Sequence, residues 1–311
     1  MEKYIIIPDV TCDLSKELRE YFGLEEYLMG YVQINGNSIN TRLDWENIRK
    51  EEFYKALSNK NNQVSSAAAT PLDYYNMFKK YVDLGYKILS MSISSKISGT
   101  FSVASLAAKK VMEESENALI YCFDSTRMSG SFGLLVCYAL EQQKQGKSFN
   151  EVIEFLEETK TRVHQMGPID DLTFVARRGQ ISKGKAIMGN FVGIKPMGDS
   201  NTDGYVTVLA KVKGIKKALD ATVEYIKNIA VDMENQYLII THSDRDTLAN
   251  ELKDKIISKC NFKKVFVSDV FSGCGTNIGP GMICAYFIGE QVTEDLVKEK
   301  EILLEAIEKI S

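Results

Sequence analysis

The run Ser94-Ser95-Lys96-Ile97-Ser98-Gly99-Thr100 places hydroxyl groups and one glycine between an apolar strand pattern and a helical pattern. The residues before it, 86–92, read as a short strand. Those after it, from Phe101 to Glu114, carry Ala104, Ala107, Ala108 and Val111 at helical spacing. A helix start has unpaired backbone N–H groups and a partial positive charge. Gly99 allows close approach to the backbone, and Ser98 and Thr100 add hydroxyl donors. This combination suits an anion such as a carboxylate or phosphate. The alternative is that Ser98 serves only as an N-cap.

Four further stretches carry similarly placed polar groups. Asp9-Val-Thr-Cys-Asp-Leu14 follows the apolar strand pattern 4–8, and Asp124-Ser125 with Met128-Ser-Gly130 follows the pattern 118–123. Arg177-Arg-Gly-Gln-Ile-Ser182 runs on to Gly193-Ile-Lys-Pro196, and Gly275-Thr-Asn-Ile-Gly-Pro-Gly281 lies near the C-terminus. With Ile93–Phe101, these stretches in their order and spacing resemble the DegV family of bacterial fatty-acid-binding proteins, from about Lys3 to Gly289.

The resemblance implies a long-chain fatty acid bound between two domains, with its carboxylate held by hydroxyl groups. It assigns those hydroxyls to Ser98 and, in the stretch Ser66-Ala-Ala-Ala-Thr-Pro71, to Ser66, read as a loop residue. It adds Gly99, Thr100, Thr276 and Asn277 to the polar site. Asn277 stands where the family has histidine, so this position donates a neutral hydrogen bond and cannot become cationic. Binding is therefore expected to lack a histidine-like pH step. Ile187, Phe191 and Ile194 belong to the apolar set that would line the acyl tunnel. The resemblance also implies a separate ATP-dependent fatty acid kinase as partner, with no chemistry in this chain and no cofactor. Lys213 replaces an arginine expected near that contact, within the cluster Lys211, Lys213, Lys216 and Lys217.

Strand and helix patterns alternate through the first ~150 residues, which predicts an α/β fold with a parallel sheet. Polar loops at 9–13, 92–99 and 124–130 follow the strand ends, where open α/β sheets bind ligands. The second half reads as a mixed sheet. The resemblance implies an N-terminal three-layer α/β/α domain, 1–166, and a C-terminal two-layer α/β domain, 167–311. Phe149–Met166 reads as one charged helix carrying an exposed His164. Leu296, Leu303, Ile307 and Ile310 share a face of a terminal helix, read as docking on its own domain.

Composition narrows the chemistry further. The 311 residues carry a net charge of −4, which argues against nucleic acid as partner. No apolar run reaches the ~20 residues of a membrane span. The opening residues lead directly into a strand and not into a signal peptide, so the cytoplasm is expected. The six cysteines, including Cys274, form no Cys-x-x-Cys pair and predict neither zinc nor redox chemistry. Only two histidines, His164 and His242, are available to a catalytic triad. A competing reading is a serine or cysteine acyl hydrolase using Ser98 or Cys274, although Ser98 lacks a Gly-x-Ser-x-Gly elbow. A third is a binder of another anionic lipid or small phosphate compound.

Overall fold

The computed structural model describes residues 2–172, 174–175 and 193–310. Its N-terminal half is built on a parallel sheet in the order β1 (Tyr4–Pro8), β5 (Lys87–Ser92), β6 (Ile120–Asp124). A small antiparallel sheet stands beside it, with β2 (Tyr31–Ile34) between β3 (Asn37–Asn40) and β4 (Val64–Ala67). Asn35 and Gly36 turn the β2–β3 hairpin with φ of 52° and 85°. That geometry explains why this dipeptide signals a tight hairpin.

Strand β1 is apolar throughout because both faces are covered. Ile5 and Ile7 pack toward α3 (Pro71–Asp83) and α4 (Thr100–Glu114). Tyr4 and Ile6 pack toward α5 (Ser129–Lys144). Thr70 caps α3 through a reciprocal capping box with Asp73, and Pro71 takes the first turn, where its missing N–H is not needed. The short helix α1 (Lys16–Phe22) is capped by Ser15, whose hydroxyl accepts from the Leu18 N–H. Helix α2 (Lys50–Ser58) starts later than the apolar spacing from Trp45 suggests.

The C-terminal half has a mixed sheet in the order β11 (Lys264–Asp269), β10 (Tyr237–His242), β12 (Ile283–Ile288), β7 (Val163–Met166). Only the β10–β11 pair is parallel within it. Alternate residues of β10 face opposite ways, as the strand period requires. Leu238 and Ile240 meet the core shared with α7 (Ile215–Ile229), α8 (Asp246–Lys259) and α10 (Val297–Lys309). Tyr237 and Ile239 join the core around α5. Leu303 and Ala306 are buried in α10, which docks on its own half against α7 and the hairpin strand β9 (Val206–Lys213).

Helix α5 therefore lies between the two larger sheets, which is why it is apolar all round. Two of its glycines permit this. A Cβ at Gly133 would lie 2.3 Å from the Cys12 carbonyl, and one at Gly130 would lie 2.4 Å from the Tyr286 ring.

The expected helix 149–166 is corrected. Helix α6 (Phe149–Thr159) ends in a 3-10 turn at Lys160–Arg162, and β7 follows. The expected division between 166 and 167 thus falls after a strand of the C-terminal sheet. His164 is buried in β7 and not exposed on a helix. Its Nδ1 lies 2.7 Å from Asp199 Oδ2 and its Nε2 2.8 Å from the Glu290 carbonyl. Both neighbours offer acceptor oxygens, an arrangement that favours a proton on each ring nitrogen, and the Asp199 carboxylate raises the His164 pKa against the opposing effect of burial. Asp199, in β8 (Ile194–Ser200), also accepts from the Gln165 N–H and the Tyr225 hydroxyl. Among the described residues, no helix is long and apolar enough to cross a membrane.

Candidate functional site

The C-terminal ends of β1 and β5 open into a cavity of about 240 Å³. From β1 the chain passes Asp9 into a 3-10 turn, Val10–Cys12, held because Asp9 accepts from the Thr11 N–H at 2.8 Å and from the Thr11 hydroxyl. From β5 it passes Ile93 and Ile97 to Ser98 and Thr100. The Ser98 and Thr100 hydroxyls lie 2.8 Å apart, and the Thr100 N–H is directed at Ser98 Oγ at 3.3 Å. Gly99 occupies the N-cap position, so Ser98 braces the helix from one residue earlier. Its hydroxyl stays in the cavity wall beside the helix N-terminus.

Ser66 corrects the loop expectation. It lies on edge strand β4, opposite Val32, because an unpaired edge of β2 was available to residues 64–67. Asn277 lies in the short helix α9 (Ser272–Ile278). Its Nδ2 donates to Ser66 Oγ at 3.0 Å. This bond brings the two halves of the chain together at the cavity. Helix α9 is held in place by α2: Tyr54 Oη donates to the Val270 carbonyl at 2.6 Å, and a Cβ at Gly275 would lie 2.9 Å from the Phe53 ring.

The cavity wall thus contains Ser66, Ser98, Thr100 and Asn277 together. Gly99 is solvent-exposed and does not line it. Neither does Thr276, whose hydroxyl is directed inside α9 to the Ser272 carbonyl at 2.9 Å. Ile194 begins β8 opposite Lys213 and lines neither this cavity nor the apolar cleft beside it. Ile187 and Phe191 lie outside the described residues, as does the stretch 177–182.

Sequence reasoning missed Asp9, Thr41 and Ala67–Ala69 as wall residues. Asp9 stood in a quoted motif, but nothing in its spacing distinguished a wall carboxyl from a turn cap. It is buried, which pushes its pKa up against the opposing pull of its bonds to Thr11 and to the Ile93 N–H, the latter at 2.9 Å. Among the described residues, no Lys, Arg or His lines this cavity.

A second, apolar cleft of about 60 Å³ lies between the halves, with Ile169, Leu172, Met197, Val208 and Met282 in its wall. Met128 and Ile278 line both spaces. The site therefore pairs a polar chamber with an apolar one across a shared wall. That arrangement fits an amphiphile with a small polar head.

Nucleophilic chemistry is poorly served. His164 is committed to Asp199, and His242 Nδ1 accepts from the Arg245 N–H at 3.3 Å. Cys274 directs its thiol to the Thr11 carbonyl at 3.3 Å, and burial pushes its pKa well up. A thiol so held is a weak nucleophile. The described residues contain no Ser/His/Asp triad around Ser98.

The family model described as "Uncharacterised protein, DegV family" matches residues 3–290. The chain belongs to the DegV family. A DegV domain-containing protein of Clostridium acetobutylicum is 30% identical over 288 residues, covering 93% of this chain and 99% of that one. Another, of Caldanaerobacter subterraneus, is 28% identical over 287 residues and covers 92% and 99% of the two chains. A DegV family protein from Thermus thermophilus, described for its fatty acid binding, superposes with a TM-score of 0.82 at 22% identity, covering 92% and 99%. One from Eubacterium eligens, loaded with heptadecanoic acid, gives a TM-score of 0.79 at 17% identity and covers 92% and 99%. These likenesses establish that the DegV fold is shared.

Proposed function

We propose that this DegV protein binds a long-chain fatty acid, with the carboxylate in the polar chamber and the tail in the apolar cleft. The observation that carries this reading is the shared lining: Met128 and Ile278 border both a space that holds hydroxyl and amide groups and an apolar one. Ser98, Ser66 and Asn277 orient the carboxylate, and the α4 N-terminus favours its charge. The tail supplies most of the affinity, at about 0.8 kcal/mol per buried CH₂ before ordering costs. Fatty acids recorded with DegV relatives support the choice of ligand.

The protein acts as a carrier, presenting the carboxylate to a separate ATP-dependent kinase and performing no chemistry itself. Six free cysteines suit a reducing compartment, and we place the carrier in the cytoplasm. Organic extraction of freshly purified protein, followed by mass spectrometry, tests the binding. A long-chain fatty acid at about one per chain is expected. No acyl lipid in the extract, together with no uptake by the delipidated protein, overturns the reading. Hydrolysis of acyl esters or thioesters by Ser98 or Cys274 would return the protein to the hydrolases.

A further inference from the structure

The polar chamber has an electrostatic peculiarity. A carboxylate ligand would enter a space already walled by the buried carboxyl of Asp9, with no cation lining it among the described residues. Among the described residues, Asp9 is bonded only by neutral donors. Oδ1 accepts from the Thr11 N–H and the Thr11 hydroxyl, and Oδ2 accepts from the Ile93 N–H. One lone-pair site of Oδ2 is left over, because a carboxylate offers about four.

Among the described residues, the titratable groups around Asp9 supply no positive charge either. Cys12 and Asp13 stand on its own turn, Tyr74 faces it from α3, and Cys274 faces it from α9. Burial pushes Cys12, Tyr74 and Cys274 well up, so these stay neutral. Asp13 is also pushed up by burial, to about 8. Two ionised carboxylates in such a chamber repel one another, and the usual resolution is that one keeps a proton.

We propose that Asp9 is a direct partner of the bound fatty acid, and that the two carboxyl groups share one proton. The proton comes from solvent and sits between Asp9 Oδ2 and a ligand oxygen. The chamber thereby selects a carboxylic head group, and binding acquires a pH dependence that the absence of a site histidine would not suggest. This inference rests on the fatty-acid reading above.

The test measures palmitate affinity below its aggregation threshold from about pH 6 to 9.5, beside hexadecanol, whose head group does not ionise. For the wild-type protein, palmitate binding should weaken toward high pH with a limiting slope of about tenfold per pH unit. Hexadecanol affinity should change by less than about twofold over the same range. Asp9→Asn keeps an oxygen acceptor and gains N–H donors, so it should bind palmitate with little pH dependence. A flat wild-type palmitate profile overturns the proposal, and so does a hexadecanol profile parallel to that of palmitate. Retention of the wild-type slope in folded Asp9→Asn also overturns it, and moves the titrating group to Asp13. If Asp9→Asn does not fold, the palmitate–hexadecanol contrast in the wild-type protein decides alone. Failure of palmitate to bind at any pH defeats the fatty-acid reading itself, which the flat profile would leave standing.

Discussion

Asp199 and Asp9 are both buried carboxyls at the ends of strands, yet their surroundings differ in kind. Asp199 is closed: His164, Tyr225 and two backbone N–H groups surround it, and it raises the pKa of its histidine partner. Among the described residues Asp9 has only neutral donors, and it lines a cavity. The first arrangement ties β7, β8 and α7 together and leaves nothing for a ligand. The second leaves one oxygen site and an unbalanced charge. A buried acid with complete pairing is structural, whereas one with incomplete pairing beside a space is equipped for a ligand.

The largest effect should come from opening the closed site. His164→Ala leaves Asp199 buried without its cation, and urea unfolding near pH 6 should show a loss of about 3–5 kcal/mol. Burial alone would lower the His164 pKa, but the Asp199 carboxylate outweighs it and holds the group above its ordinary value. The contribution of the pair is therefore full below the usual histidine range and fades as pH rises through the higher folded value. A loss that grows with pH would break the assignment of His164 as a cation.

Asp13 lies between the two extremes. It accepts from Ser129 Oγ at 2.6 Å and from the Phe271 N–H at 3.0 Å, joining the halves, and burial pushes its pKa to about 8. The folded state therefore binds the proton more tightly than the unfolded chain. This contribution is full below the ordinary carboxyl range, near pH 4, and is lost as pH rises toward about 8. Wild-type stability should decline across that window at up to about 1.4 kcal/mol per pH unit. Asp13→Asn should flatten the decline in chemical denaturation curves, and an unchanged slope would show that Asp13 ionises freely in the fold.

On the ligand side, Ser98→Ala should weaken palmitate binding by about 1.5–3 kcal/mol, with the melting temperature little changed. Ser66→Ala should cost less, because Asn277, which now donates to Ser66, becomes free to turn toward the ligand. Equal losses, measured by titration at one pH, would remove the special standing of the α4 N-terminus. The smallest effect belongs to Lys50, which reaches Asp246 at 2.6 Å and Asp269 at 3.1 Å on the rim where α2 meets the C-terminal half. Lys50→Met should lower stability by only about 0.2–1 kcal/mol, and less in high salt. A larger, salt-insensitive loss would place this pair with the closed site.

What the sequence determined by itself is local. Apolar runs at 4–8, 86–92 and 118–123 marked β1, β5 and β6, because each depends on neighbours a few residues away. The hydroxyl stretch at 94–100 identified the cavity edge for the same reason. The tertiary structure alone decided the rest. Edge strand β4 exists because β2 offered it unpaired groups, and α9, only seven residues long, is held by α2 packed over it. A short helix or edge strand has too few internal bonds to declare itself, so its neighbours settle its state. His164 looked exposed because its own segment is polar, and the acid that fixes it lies 35 residues away. Asp9, Ser98, Ser66 and Asn277 come from separate elements. Their meeting in one chamber depends on long-range packing, which residue spacing along the chain does not encode.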